Sequence, residues 1–165
     1  MNIDKYTQNA QQAVLAAQQK VIEYGQQEMD VEHLHLALVE DPEGLIPRLL
    51  DVMGVDAARY RNALEQELAS RPKVSGNTQP YASRRLNETL LRAEKIMKEF
   101  KDEYVSVEHL YLAILEDKDR RNKALLERFG VTKDTFLKAL SEVRKNQRVT
   151  SQNPEDSYDV LKKYG

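Results

Sequence analysis

Carboxylates, histidines and glycines are the residues of this chain that could do chemistry, and their spacing limits what chemistry that is. Glu32 and Glu108 each precede a histidine, His33 and His109, inside the same tetrapeptide, Val-Glu-His-Leu. As a pair, the two glutamates would serve as general acid and base only if the fold brought them within the separation that two-carboxylate sites need. At a helix start each would instead neutralise the positive end of the helix dipole, or offer an acceptor beside helix N–H donors to a partner. His33 and His35 lie two apart, which on a helix turns them about 200° from one another, so they cannot hold one metal ion. The matching positions of His33 and His109 point to packed or capping histidines. The glycines, at 25, 44, 54, 76, 130 and 165, fit neither a Gly-x-x-x-x-Gly-Lys phosphate loop nor a Gly-x-Gly-x-x-Gly turn. No cysteine is present, which removes disulfides, thiolate metal sites and a cysteine nucleophile; a serine nucleophile elbow is missing too. The expectation is a chain with no catalytic residue, no cofactor and no metal of its own.

The elements that hold these residues are given by a duplication. Met29-Asp-Val-Glu-His-Leu-His-Leu-Ala-Leu-Val-Glu-Asp41 recurs as Val105-Ser-Val-Glu-His-Leu-Tyr-Leu-Ala-Ile-Leu-Glu-Asp117, at an offset of 76 residues. The same offset carries Ala17 onto Ala93, Glu23 onto Glu99, Leu49-Leu50 onto Leu125-Leu126, Gly54-Val55 onto Gly130-Val131 and Ala63-Leu64 onto Ala139-Leu140. Register held that long without a gap marks two copies of one unit.

In the first copy, Ala10, Val14, Ala17, Val21 and Tyr24 form one helical stripe over about 4–24. Thr7 is a candidate cap, as Ser83 is in the second copy, and Gly25 ends the helix. Asp30 caps a short helix that Leu34, Leu36, Ala37 and Leu38 make apolar on most sides, so it should be central. Asp41-Pro-Glu-Gly44 is a turn. A third helix runs from about Leu45 to Met53, and Asp56 caps a fourth with Tyr60 and Leu64 facing inward. The second copy predicts helices near 82–101, 106–117, 121–129 and 133–145, with Ser106 and Thr132 as caps and Gly130 as a stop. No strand-like alternation is visible. The predicted fold is all-α, two tandem four-helix repeats packed as a pseudo-twofold double domain: repeat 1 over 1–70, a linker over 71–80 with two prolines and a glycine, repeat 2 over 81–146, and a polar tail over 147–165. Within the tail, Asn153 and Pro154 open a short helix that stops abruptly, as a piece of a longer protein would.

The 165 residues are 32% charged with a net charge of −2. That balance gives no nucleic-acid footprint, which needs a basic excess. The N-terminus lacks the basic and apolar run of a signal peptide, and no stretch approaches the ~20 apolar residues of a membrane span.

One surplus remains. Leu15 and its counterpart Leu91 fall roughly 100° off the stripes that hold Val14 and Leu90, with Ile22 on the same side as Leu15 and Ile96 at the opposite margin of its own stripe. They either flank the core against a neighbouring helix or form an apolar strip for a protein partner.

The double Val-Glu-His-Leu segment, each copy followed by Leu-Ala and Glu-Asp, then by Leu-Leu and Gly-Val, resembles the Clp N-terminal repeat of the Hsp100 chaperones. The tail from Asn153 to Gly165 resembles the stretch leading into the first ATPase module of the disaggregase branch. The resemblance spans essentially the whole chain. It implies the N-terminal domain of a cytoplasmic, hexameric, ATP-driven disaggregase that works with the DnaK chaperone system, with ATP and Mg bound in ATPase modules outside this chain and the piece itself monomeric. Such a domain captures unfolded or aggregated polypeptide and passes it to the hexamer pore. The resemblance implies capture residues at Thr7, Asp102 and Glu108, beside an apolar groove to which Leu90 and Ile96 contribute. In the ClpC relatives the glutamates matching Glu32 and Glu108 help to recognise phosphorylated arginine, so the alternative is an adaptor-docking or phosphoarginine-recognising domain of a ClpC/ClpA-type protease unfoldase, with Glu32 as a second site. The copies depart from each other after Asp41 and Asp117: Pro42 and Gly44 stand opposite the charged run Lys118-Asp-Arg-Arg-Asn122. The two halves should therefore not present identical surfaces.

Overall fold

The computed structural model describes residues 3–76, 79–144 and 152. Its helices are α1 (Gln8–Glu23), α2 (Val31–Val39), α3 (Leu45–Val52), α4 (Ala57–Ala69), α5 (Arg84–Glu99), α6 (Val107–Leu115), α7 (Arg120–Arg128) and α8 (Lys133–Arg144). The fold is all-α, with α1–α4 and α5–α8 as the two copies. None of the helices is long and apolar enough to cross a membrane, among the described residues.

The helix starts are set by side chains. Thr7 Oγ1 accepts the Ala10 N–H at 3.1 Å and Ser83 Oγ accepts that of Leu86 at 2.9 Å. Asp56 takes the N–H groups of Ala58 and Arg59, and Thr132 takes that of Thr135. α2 and α6 begin in a shared way: the N–H of Asp30 donates to His33 Nδ1, and that of Ser106 to His109 Nδ1, each at 2.9 Å. Both histidines of the repeated tetrapeptide are thus capping groups, at positions where an acceptor satisfies a donor the helix leaves over. Gly25 closes α1 in the left-handed region at φ 67°. Its counterpart after α5 is Lys101, which takes the same conformation at φ 61° without glycine's freedom.

α2 and α6 form the centre. Val31, Leu34, Leu36, Val39, Val107, Leu110, Leu112 and Ile114 are all buried in one cluster that continues from Tyr6 to Val143. Each such side chain contributes roughly 1.5–3 kcal/mol by leaving water. The repeats share this core, with residues of both copies in one buried cluster.

Two stitches join the copies, and they are the same stitch. Two-residue strands, β1 (Glu28–Met29) and β2 (Tyr81–Ala82), pair in parallel with Met29 opposite Ala82. Across the molecule Tyr6 bridges Val105, also in parallel. The offset of 76 carries Tyr6 onto Ala82 and Met29 onto Val105, so each first helix is tied to the start of the other copy's second helix. The Ser83 N–H reaches the Met29 carbonyl at 2.8 Å, and the Thr7 N–H reaches that of Val105 at 2.9 Å. Strands of two residues are too short for alternation to show, which is why the sequence reading has none.

The segment 71–80, expected as a loosely held linker, is pinned at its start. Arg71 donates to Asp30, Glu32 and Glu67 at 3.2, 2.7 and 3.2 Å, and the Val74 N–H reaches the Gly25 carbonyl at 2.9 Å. The expected tail helix from Asn153 lies outside the described residues; Gln152 alone is placed, its carbonyl accepting the Gln8 N–H at the start of α1.

Candidate functional site

The apolar candidates separate into two groups. Leu15 on α1, 56% exposed, and Leu91 on α5, 66% exposed, stand at equivalent positions on the outer helices, with Ile22 at 60% beside the first. Leu90 and Ile96 are core residues, 6% and 5% exposed. The expectation that they line an open groove is corrected. With Leu86, Ala93 and Met97 they complete a stripe spaced by threes and fours, and that stripe packs inward.

The polar candidates also lie beneath the surface. Thr7 is fully buried, spending its hydroxyl on the α1 cap and its N–H on Val105. Asp102 accepts from His109 Nε2 at 2.7 Å on one oxygen and from Arg144 Nη2 at 2.5 Å on the other. Glu108 is fully buried, 3.7 Å from Arg144 Nε, and Arg144 stacks over the Phe100 ring at 5.4 Å. Thr7, Asp102 and Glu108 are joined through Val105 and the start of α6, so the fold does bring them together, as a buried cluster. As a rim lining an open groove, the role expected of them, they are not placed.

The first copy's counterpart has other chemistry. Gln26 stands where Asp102 does, linking His33 Nε2 at 2.8 Å to the Leu68 carbonyl at 2.6 Å, with no charge involved. The charge sits on Glu32 instead. Its oxygens accept from Arg85 Nη1 and Nη2 at 2.8 and 2.7 Å and from Arg71 Nη2 at 2.7 Å. Burial alone would raise the Glu32 pKa; the two guanidinium groups overcome it and bring the value to about 2. Arg85 continues to Asp117, with Nε at 2.9 Å from Oδ2. Glu32 is therefore no open second site, its side chain being only 3% exposed. A carboxylate held ionised in this way cannot act as a general acid near neutrality.

Burial lowers the pKa of His33 to about 4, with the Arg71 charge adding to it. His35, fully enclosed, is likewise lowered to about 4 by burial. His35 Nε2 lies 2.5 Å from the Tyr60 hydroxyl, which meets the Tyr111 hydroxyl at 2.8 Å. Since Tyr111 is the counterpart of His35, this short chain joins the copies at their pseudo-axis. Sequence reasoning missed it, and missed Arg71, Arg85 and Asp117. The available signal was physical but incomplete: a glutamate opening an apolar helix needs a cation, yet Arg48, Arg59 and Arg61 stand nearer in sequence than Arg71 and Arg85, so spacing does not single out the two that answer it.

No group of three or more His, Cys, Asp or Glu side chains is placed to hold a metal, among the described residues.

The family described as Clp repeat (R) N-terminal domain matches residues 5–129. The chaperone protein ClpB of Nitratidesulfovibrio vulgaris is 45% identical over 170 aligned residues, covering 100% of this chain and 20% of that protein. The ClpB chaperone of Clostridium tetani is 40% identical, again covering 100% of this chain and 20% of its own length. The chain thus spans about a fifth of the length of these curated relatives. Among solved structures, the N-terminal domain of Hsp104 from Candida albicans superposes with a TM-score of 0.79 at 22% identity, covering 92% of this chain and 99% of that one. A complex of a ClpV N-domain with VipB peptide gives a TM-score of 0.67 at 22% identity, covering 84% and 86%.

Proposed function

The chain belongs to the Clp repeat N-terminal domain family, and from that premise we propose that it is the substrate-capturing domain of an ATP-driven protein disaggregase. It would hold unfolded or aggregated polypeptide and pass it to a hexamer pore, in the cytoplasm and together with the DnaK system, while ATP and Mg bind in modules outside this chain. Support for the disaggregase comes from the ClpB relatives, and support for peptide docking from the ClpV N-domain whose complex with VipB peptide has this fold.

One observation carries the reading to this chain: Leu15, Ile22 and Leu91 are exposed on the outermost helix of each copy, where nothing in the core uses them. Unfolded clients share exposed apolar side chains and no sequence, so exposed leucine and isoleucine side chains on α1 and a leucine on α5 suit them. A contact this small gives micromolar affinity or weaker, which six copies in a hexamer would raise by avidity. The phosphoarginine alternative is less supported here, because Glu32 already holds two arginine side chains.

Titration of a permanently unfolded model protein into isotope-labelled chain tests the proposal. Amide shifts should move around Leu15, Ile22 and Leu91 and stay still around Leu34 and Leu110. Binding of folded adaptor proteins in place of unfolded clients would overturn it in favour of adaptor docking.

A further inference from the structure

The two copies treat one equivalent place differently. In the second copy it is filled by the chain's own arginines: Arg85 reaches into the Asp117 turn, 2.9 Å from Asp117 and 4.0 Å from Asp119, and Arg92 reaches the Ala113 carbonyl at 2.9 Å. In the first copy the carboxylates are kept, as Asp41 and Glu43, but Arg85 is replaced by Asn9 and Arg92 by Ala16. Two long side chains are thereby lost, and a cleft of about 490 Å³ opens between α1 and the α2–α3 turn. Ala13, Ala16, Leu45 and Ile46 line it, with Asn9, Asp41 and Glu43 at its edge.

The charges at that edge are unevenly matched. Glu40 is met by Lys20 at 2.5 Å, and Arg48 turns its Nε back onto the Gly44 carbonyl at 3.2 Å. Asp41 and Glu43 make no ion pair with any described residue; Asp41 accepts the Glu43 N–H, which leaves carboxylate lone pairs toward the cleft edge.

We propose that this cleft binds an arginine side chain of an incoming extended polypeptide, the guanidinium lying on Asp41 as Arg85 lies on Asp117, with Glu43 nearby as Asp119 is, and small or apolar neighbours on the alanine and leucine floor. The molecule supplies its own template for the Asp41 contact, in the copy where the arginine is built in on Asp117, with Glu32 and Asp30 holding the rest of that guanidinium. Guanidinium is favoured over ammonium because its planar fork reaches more than one carboxylate at once, as Arg85 does. The inference deepens the capture reading by naming a side chain that the domain selects. It is separable from that reading, because the cleft and the Leu15–Ile22 strip lie on opposite flanks of the buried stripe of α1.

The probe is a capped seven-residue peptide of alternating alanine and leucine with a central arginine, compared with the same peptide carrying lysine or citrulline, titrated into labelled chain. The arginine peptide should shift the amides of residues 9–16 and 41–46, and the lysine and citrulline peptides should bind at least tenfold more weakly. Asn9→Arg should place a side chain in the cleft as Arg85 does, weakening the arginine peptide at least tenfold with the melting temperature held. Should that variant not fold, Asp41→Asn with Glu43→Gln, both on an exposed turn, carries the same expectation. Leu15→Ser should leave the cleft shifts unchanged while weakening capture of unfolded protein, so that failure of either idea shows on its own. Equal binding of the citrulline or lysine peptide, shifts confined to residues 15, 22 and 91, or undiminished binding by a folded Asn9→Arg variant would each overturn the inference.

Discussion

Arg85 and Glu32 form a two-pronged contact between the copies, Nη1 to Oε1 at 2.8 Å and Nη2 to Oε2 at 2.7 Å, at a point where the glutamate is almost out of water. The pair couples the first turn of α5 to the first turn of α2. Removing one member leaves the other charge buried and only partly answered. Arg85→Met should therefore cost about 3 kcal/mol, at the lower edge of what breaking a buried pair costs, since Arg71 stays on Glu32. Replacing both partners, with Glu32→Gln added, should recover part of that loss. Denaturant unfolding of the two single variants and the double one measures the coupling.

Acid should loosen the fold in two stages with the same sign. His33 and His35 have folded values of about 4, below the ordinary 6.5, so the unfolded chain takes up protons first and stability declines as pH falls from about 6.5 to 4. Glu32, ordinarily near 4.5 and here about 2, adds stability that is complete above about 4.5 and is lost as pH falls to about 2. Melting temperature against pH should slope downward across both windows. His33→Gln should flatten the upper one by about one proton's worth, 1.4 kcal/mol per pH unit, and leave the lower one in place.

Lys101 keeps a left-handed backbone where Gly25 stands in the other copy. A side chain there strains the turn by roughly 1 kcal/mol, part of which glycine returns as unfolded-state entropy. Lys101→Gly should raise stability by about 0.5 kcal/mol, read as a shift in denaturant midpoint at unchanged slope. The reverse exchange, Gly25→Lys, should lower it.

Most of the fold was legible because a duplicated sequence states each element twice. A helix read from Val14, Ala17 and Val21 is read again from Leu90, Ala93 and Met97, and the central place of α2 follows from a surface that is apolar on most sides. Polar partnerships were not legible in the same way. That Arg85 answers Glu32 depends on how the copies cross, which periodicity does not encode. Thr7, Asp102 and Glu108 were expected at a surface, and their burial follows from the stitch between Tyr6 and Val105. Ile96 sat at the margin of its stripe, and spacing alone does not decide whether a margin is covered. Leu15 and Leu91 were left open between core and surface, and they lie at the surface.

The His35–Tyr60–Tyr111 chain tests whether the interface is specified by polar contacts as well as apolar area. Tyr60→Phe keeps the ring, which packs on Phe129 at 5.2 Å between centroids, and removes the hydroxyl shared by His35 and Tyr111. Both remaining groups are buried, so the loss should be about 2 kcal/mol, above that of an exposed hydrogen bond. Tyr111→Phe should cost less, since it leaves the His35–Tyr60 contact whole. A double variant well short of the sum would show the two acting as one network.

Leu91 and Leu110 separate surface from core. Leu91 is 66% exposed on α5 and Leu110 is fully buried on α6. Leu91→Ser should leave the melt within about 0.5 kcal/mol of the parent, as surface substitutions do, while weakening capture of an unfolded protein severalfold. Leu110→Ser removes a packed side chain and strands a hydroxyl in the shared core, so it should cost about 3–5 kcal/mol and carry both copies with it. Ile96→Ser, at a position 5% exposed, should resemble Leu110→Ser in the melt. Thermal melts beside a binding isotherm for each variant decide the matter. A Leu91→Ser protein that melts as early as Leu110→Ser would place Leu91 in the core, and one that melts normally and captures normally would remove α5 from the capture surface.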